Sequence, residues 1–146
     1  MEIRELGGKD IEDIKMMIIR IFSGDPWNDL WTEEQLHLYV LELIGNRNSL
    51  SFGFYEEGEL IGISLGRVKH WYEGTEYWID EFGILPEKQK NGLGSEFLTA
   101  IEHCLAANKI EGIVLLTEKT IPAYYFYHKN GFSEKEEQVF LAKQIF

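Results

Sequence analysis

The segment Gln89-Lys90-Asn91-Gly92-Leu93-Gly94 has the residue types and spacing most clearly suited to chemistry. It lies between a strand-like run that ends at Pro86 and a segment with helical spacing. Glycines at the beginning of a helix let the backbone approach a ligand, which then faces the unpaired first-turn amides and the positive end of the helix dipole. Such a site binds phosphate, and Lys88 adds positive charge beside Lys90. A glycine-rich turn that merely connects strand and helix is the structural alternative.

Other catalytic and phosphate-binding motifs do not fit the sequence. A dinucleotide fingerprint requires a small residue where the chain has Phe97, and a Walker loop requires Gly-Lys-Ser/Thr where Gly94 is followed by Ser95-Glu96. Residues 62–66 spell the hydrolase form G-x-S-x-G, but they lie inside a run with strand character and no helix follows. We interpret that match as chance.

Hydrophobic periodicity predicts the elements that position this segment. Alternating or short apolar runs predict strands at 2–6, 51–55, 60–70, 77–85 and 113–117, with one or two more strands within 132–146. Helical spacing predicts helices at 11–22, from a Thr32–Gln35 capping box to about 44, from 93 onward, and at 122–130. This order combines antiparallel neighbours with parallel crossovers, so we predict an α/β fold with a mixed sheet.

Composition limits the classes of function. The 146 residues predict a single domain, 1–146, and the net charge of -11 argues against nucleic-acid binding while it suits a cationic substrate or solubility alone. One cysteine excludes a disulfide within the chain, and the four histidines lack metal-ligand spacing, so we predict no metal. No signal-like or membrane-spanning apolar run occurs, which predicts a cytoplasmic protein with no membrane association.

Two segments carry a resemblance to a known family. Gln89-x-x-Gly92-x-Gly94, after the strand that Pro86 ends, resembles the acetyl-CoA signature of the GNAT (Gcn5-related N-acetyltransferase) superfamily. Residues 123–132, AYYFYHKNGF, are similar to the later A-x-x-[LF]-Y-x-x-x-G-F segment of that family. Thr120 is a departure, because many members have asparagine there. The resemblance covers essentially the whole chain and implies a GNAT-like acyl-CoA N-acyltransferase fold, a central mixed twisted sheet flanked by about four helices.

The resemblance also implies an acetyl-CoA site. The strand that ends at Leu85 would splay from its neighbour, so that backbone groups of Phe82 and Ile84 bind the pantetheine arm. An amide within Phe82, Gly83 and Ile84 would stabilise the thioester oxygen as it becomes an oxyanion. The pyrophosphate would be held by amides of one loop: Gln89, Lys90, Asn91, Gly92, Leu93, Gly94 and Ser95.

A reacting amine must lose a proton, and carboxylates near this strand are candidate bases. Asp80 is the first candidate, since alternation places it on the same side as Phe82, and a solvated or ion-paired Asp80 is the structural alternative. Glu81 would point to the other face unless a bulge intervenes, and Glu76 is the third choice. The resemblance assigns Tyr127 to the departing thiolate, with Tyr124 less favoured.

Trp27, Asp29 and Trp31 lie in the segment that walls the acceptor cleft in this family, and Trp71 and Trp78 could add aromatic surface. We therefore predict transfer of an acetyl group to a primary amine of a small, cationic acceptor by direct attack in a ternary complex. Aminoglycosides, polyamines, amino acids and peptide N-termini all fit. A non-catalytic acyl-CoA-binding module and a purely structural domain are the alternatives, and edge strands in the C-terminal half would support a homodimer.

Overall fold

The computed structural model describes residues 1–146. Five strands and four helices follow in the order β1, α1, α2, β2, β3, β4, α3, β5, α4. The strands are β1 (Glu2–Glu5), β2 (Ser49–Glu56), β3 (Glu59–Trp71), β4 (Gly74–Ile84) and β5 (Gly112–Leu115). The helices are α1 (Ile11–Phe22), α2 (Glu33–Ile44), α3 (Leu93–Ala107) and α4 (Pro122–Lys129). These elements confirm the predicted mixed fold with about four helices.

The five strands form one sheet in sequence order. The first four strands are antiparallel neighbours, and β5 pairs with β4 in parallel, as the mixed sheet requires. The connection between β2 and β3 is a tight hairpin in which Glu57 has φ 49° and Gly58 φ 80°. Successive positive φ angles match the twist of paired strands, which is why a glycine occupies this turn.

Helices cover both faces of the sheet. Helix α1 buries its apolar stripe, and a side chain on Gly83 of β4 would meet Ile21 of that stripe. On the opposite face, Phe82 of β4 stacks on Phe97 of α3 with ring centroids 5.4 Å apart. At the beginning of α2 the predicted capping box is present, since the Thr32 hydroxyl accepts from the Gln35 amide and the Gln35 side chain accepts from the Thr32 amide.

A β-bulge interrupts the pairing of β4 with β3. Ile79 lies opposite Gly66 and Glu81 lies opposite Leu65, so Asp80 is an extra residue in β4. An extra residue reverses the alternation of side chains beyond it. The bulge therefore decides which face of the sheet each carboxylate of β4 occupies.

The chain forms two compact units, residues 1–116 and 117–146. In the second unit α4 ends at Lys129 and Gly131 adopts φ 92°, the left-handed conformation that favours glycine after a helix. The prediction of one domain over 1–146 stays a prediction. No helix of the protein has both the length and the apolar character needed to cross a bilayer.

The prediction of one or two strands within 132–146 is wrong, because this segment contains no strand. Five apolar side chains near its end are at least 76% exposed: Val139, Phe140, Leu141, Ile145 and Phe146. A strand requires a hydrogen-bonded neighbour as well as a suitable residue pattern, and the sequence pattern alone supplies only the second condition.

Candidate active site

Strands β4 and β5 share only a short stretch of pairing. Their parallel register ends where Ile79 meets Leu115, while β4 continues to Ile84 in register with β3. The predicted pantetheine site requires such an opening beside residues 82–84. The Ile84 carbonyl is engaged there, since it accepts a hydrogen bond of 2.9 Å from the Gln89 side-chain nitrogen. This bond ties the loop after β4 to the end of the strand.

The loop at residues 89–95 is open at the beginning of α3. Gly92 has φ 76° and its backbone borders open space, so a side chain there would be strained and would occupy the approach to the helix. No side chain caps the first turn of α3, which begins at Leu93. The first-turn amides can therefore bind an anion, as the predicted pyrophosphate site requires.

The two lysines of this loop have different surroundings. The Lys88 ammonium contacts the Glu56 carboxylate of β2, and this hydrogen bond raises the pKa of Lys88. Lys90 is exposed and has φ 66°. Lys90 is consequently the lysine that can add positive charge to a bound phosphate.

The bulge places Asp80 and Glu81 on the same face of the sheet. Both Asp80 carboxylate oxygens accept hydrogen bonds from Arg67, at 2.5 and 2.7 Å, on the face opposite Phe82. Glu81 contacts Tyr39 of α2 on that face. The expected alternation, with Asp80 on the side of Phe82, is therefore wrong, because the bulge shifts the parity between these residues.

Glu81 is a partly buried carboxyl group on this face. The Tyr39 hydroxyl donates a hydrogen bond of 2.8 Å to it. Burial raises the pKa of Glu81 to about 7, with further increases from Asp29 and Asp80, while the bond from Tyr39 lowers it. Burial likewise raises the pKa of Tyr39, which keeps the phenol protonated as a donor. A carboxyl group that titrates near neutral pH suits a general base.

Aromatic side chains lie beside this pair. Trp31 stacks on Tyr39, with centroids 5.0 Å apart and ring planes at 18°, and its buried indole nitrogen has no hydrogen-bond partner. Burial raises the pKa of Asp29, whose charge also acts on Glu81. Trp27 packs edge-on against Phe22 of α1 at 5.1 Å. Two of the predicted acceptor residues, Asp29 and Trp31, thus belong to the surroundings of Glu81.

Glu76 has a different environment. It lies five residues before Glu81 and accepts a hydrogen bond of 3.1 Å from the Trp78 indole nitrogen.

Tyr39 is the functional candidate that sequence reasoning missed. A tyrosine in an amphipathic helix has the pattern of a packing residue, and nothing local indicates a partner 42 positions away.

The second unit contains Tyr127 in α4. Its side chain is buried and packs against Phe126 and Phe132, each with ring centroids 5.3 Å away. Tyr124, one turn earlier, donates a hydrogen bond to Glu134. The assignment of Tyr127 to the thiolate stays a prediction. No group of three or more His, Cys, Asp or Glu side chains is arranged to hold a metal ion.

A comparison with protein-family profiles shows the family of this chain. The sequence profile described as "Acetyltransferase (GNAT) family" matches residues 13–132. No sequence match was found among curated proteins.

Solved structures share the fold at low identity. A possible acetyltransferase from Clostridium difficile 630 has a TM-score of 0.83 at 17% identity, covering 99% of this chain and 98% of the other. An aminoglycoside acetyltransferase from an uncultured soil metagenomic sample, in complex with sisomicin, has a TM-score of 0.77 at 18% identity, covering 99% and 96%. AAC(6')-Iy with a CoA bisubstrate analog has a TM-score of 0.73 at 17% identity, covering 98% and 97%.

Proposed function

We propose an acceptor from one premise, that the chain belongs to the acetyltransferase (GNAT) family and is an acetyl-CoA-dependent N-acetyltransferase. The acceptor is the primary amine of a small molecule, and it reaches Glu81 as an ammonium ion. The observation that carries the proposal is the partly buried Glu81 carboxyl beside Tyr39, with Asp29 and Asp80 as neighbouring charges. Carboxylates grouped in this way attract an ammonium ion. The aromatic faces of Trp31 and Tyr39 add cation–π attraction.

Glu81 accepts the proton that the amine must lose before it attacks the thioester. A base with a pKa of about 7 is ionised in part at neutral pH and returns the proton readily. Asp80, the first sequence candidate, is held by Arg67 in an ion pair, which suits a role in fixing charge beside Glu81. We therefore assign the proton transfer to Glu81 in preference to Asp80 and Glu76.

Acetyl-CoA supplies the acyl group as a thioester. Residues 89–95 would hold its pyrophosphate, with the Gly92 backbone and the uncapped first turn of α3 as donors. Backbone groups of residues 82–84 would bind the pantetheine arm and polarise the thioester carbonyl. Tyr127 would donate a hydrogen bond to the departing thiolate.

Direct attack in a ternary complex needs no covalent acyl-enzyme. The only cysteine, Cys104, lies in α3 and is packed partly buried against the hydrophobic core, where a small thiol serves packing. The amine-binding surroundings of Glu81 and the open loop at 89–95 supply separate places for the two substrates.

An assay of CoA release tests the proposal. Wild-type protein with acetyl-CoA should release free thiol only when an amine is added, over a panel of kanamycin, spermidine, lysine and triglycine. Tight acetyl-CoA binding with no amine-dependent release across such a panel would instead support the alternative of a non-catalytic acyl-CoA-binding module. Absence of acetyl-CoA binding by the folded protein would contradict the whole assignment of the loop.

The compartment, the macromolecular partners and the oligomeric state of the protein are also proposals. We propose the cytoplasm as the compartment and no membrane as a partner. We also propose no nucleic acid as a partner, since a net charge of -11 disfavours binding to its phosphates. A homodimer is supported by the exposed apolar side chains within residues 139–146, because exposed apolar surface of this kind commonly marks an interface.

A further inference from the structure

An open cavity of about 990 Å³ lies at the end of the sheet where β2 begins and β3 runs past it. Its volume is in the range of sites that hold small molecules. The lining includes Arg47, Arg67, Lys69, His70 and Trp78, and no carboxylate belongs to it. In a chain with a net charge of -11, three permanent cations around one cavity are a local reversal of charge.

Hydrogen bonds hold the backbone beside these cations, and ring contacts hold two of the three side chains. Asn48 and Val68 form two hydrogen bonds, of 2.9 and 3.0 Å, which attach the loop that carries Arg47 to β3. Lys69 lies with its ammonium 4.3 Å from the Trp71 ring centroid. The backbone of the cavity is therefore held in place, while the Arg47 side chain is exposed.

Two of the three permanent cations have no carboxylate partner. Arg67 forms an ion pair with Asp80, and its guanidinium carbon lies 5.6 Å from the Trp78 ring centroid. Arg47 and Lys69 have no carboxylate within the 4.0 Å of an ion pair. Unpaired cations on a shared concave surface attract an anion, and guanidinium groups bind carboxylate and phosphate with two parallel hydrogen bonds.

The position of the cavity separates it from the acetyl-CoA loop. Trp78 precedes Ile84 by six residues in β4, which is roughly 20 Å of extended strand, and the loop at 89–95 follows Ile84. Glu81 is only three residues from Trp78, or roughly 10 Å. The Arg67–Asp80 pair connects the cavity with the surroundings of Glu81.

We propose that this cavity binds a carboxylate or phosphate of the acceptor, so that the acceptor is an amine with an anionic group about 10 Å away. The inference rests on the proposed function, because it identifies the second functional group of the same acceptor. A peptide of three extended residues spans about 10 Å between its amine and its carboxylate. A polyamine has no group for this cavity.

Paired acceptors that differ only in the anion test the proposal. We expect kcat/KM for triglycine to exceed that for triglycine amide by tenfold or more, mainly through KM, as a charge-assisted hydrogen bond allows. Glucosamine 6-phosphate against glucosamine distinguishes a phosphate from a carboxylate. The double variant Arg47→Gln/Lys69→Gln should remove the preference, so that triglycine and triglycine amide have similar kcat/KM.

The control variant Lys9→Gln/Lys143→Gln removes the same charge from exposed positions outside the cavity and should keep the preference. The proposal is overturned if the wild type has equal kcat/KM for triglycine and triglycine amide, and also for glucosamine 6-phosphate and glucosamine. A loss of the preference for the anionic acceptor in both the double variant and the control variant would also overturn it.

A binding measurement keeps the inference separate from turnover. By isothermal titration, N-acetyl-triglycine or N-acetylglucosamine 6-phosphate should bind the wild type at least tenfold more tightly than Arg47→Gln/Lys69→Gln. If no amine is acetylated, the proposed function fails while this difference still supports the anion site. Absence of binding, or equal binding by both proteins, would overturn the anion site whatever the acetylation assay shows.

Discussion

The Tyr39 hydroxyl donates a hydrogen bond of 2.8 Å to the Glu81 carboxylate, although 42 residues separate the two along the chain. One residue belongs to α2 and the other follows the bulge in β4. The pair combines a partly buried carboxyl group with a hydrogen-bond donor that stabilises its ionised form. Its titration near neutral pH provides the most direct test of the proposed mechanism.

Replacing Glu81 by Gln should lower kcat/KM for acetyl transfer roughly 10²- to 10⁴-fold, the range for loss of a general base. Glu81 must be ionised to accept a proton, and its pKa is raised to about 7. The wild-type rate should therefore increase with pH through about 7. In Glu81→Gln this rising limb of the pH–rate profile should disappear. Any increase in rate that comes from deprotonation of the acceptor amine itself should remain.

Asp80→Asn is the matched control for that experiment. It removes a neighbouring carboxylate while Glu81 keeps its contact with Tyr39, so the limb near pH 7 should persist and move to lower pH, because the Asp80 charge raises the pKa of Glu81. A loss of the limb in Asp80→Asn, with Glu81→Gln fully active, would return the role of base to Asp80.

Tyr39→Phe should move the acidic limb of the pH–rate profile to higher pH. The hydrogen bond from Tyr39 lowers the pKa of Glu81, so its removal lets burial raise that pKa further. At pH 6.5 the variant should be slower than wild type, and the difference should shrink as pH increases. Tyr72→Phe, at a position 84% exposed, should leave the profile in place. An unchanged profile in Tyr39→Phe would show that the bond does not tune the base.

Gly92→Asp/Gly94→Asp should abolish acetyl-CoA binding in isothermal titration. The new carboxylates would lie at the open beginning of α3 and repel the pyrophosphate, and residue 92 would be strained at φ 76°. Gly58→Asp is a control for strain, since Gly58 has φ 80° and open space in a remote hairpin. If Gly58→Asp also loses binding, the effect is one of folding rather than of the loop.

Tyr127→Phe should lower kcat by about tenfold with little change in KM for either substrate. This is below the usual range for a proton-transfer group, because a thiol is acidic enough to leave with only partial help. Tyr125→Phe, at a side chain 69% exposed on the same helix, should have wild-type kcat. Full activity of Tyr127→Phe would limit Tyr127 to packing against Phe132.

Phe140→Ser/Leu141→Ser should convert the proposed homodimer to a monomer in sedimentation equilibrium. Both side chains are more than three-quarters exposed, so their replacement removes apolar surface without opening a cavity in the core. Leu38→Ser, at an exposed position of α2, should leave the association unchanged. A monomeric wild type would contradict the homodimer.

The order of elements and the position of the glycine loop were determined by local signals. Apolar spacing fixed α1, the Thr32–Gln35 box fixed the beginning of α2, and glycine at 92 matched a φ that side chains avoid. Each signal acts within a few residues of its source, so the chain carries it before any tertiary contact forms.

Four features were decided only by tertiary structure. The bulge at Asp80 depends on the register of β4 against β3, and that register reverses the face on which a carboxylate lies. The Tyr39–Glu81 bond and the cavity beside Arg47 join residues from distant elements, while the apolar residues 139–146 formed no strand. Burial, pairing and local charge are properties of neighbours in space. Local sequence patterns identify the side chains, but they do not determine which distant side chains come into contact in the folded protein.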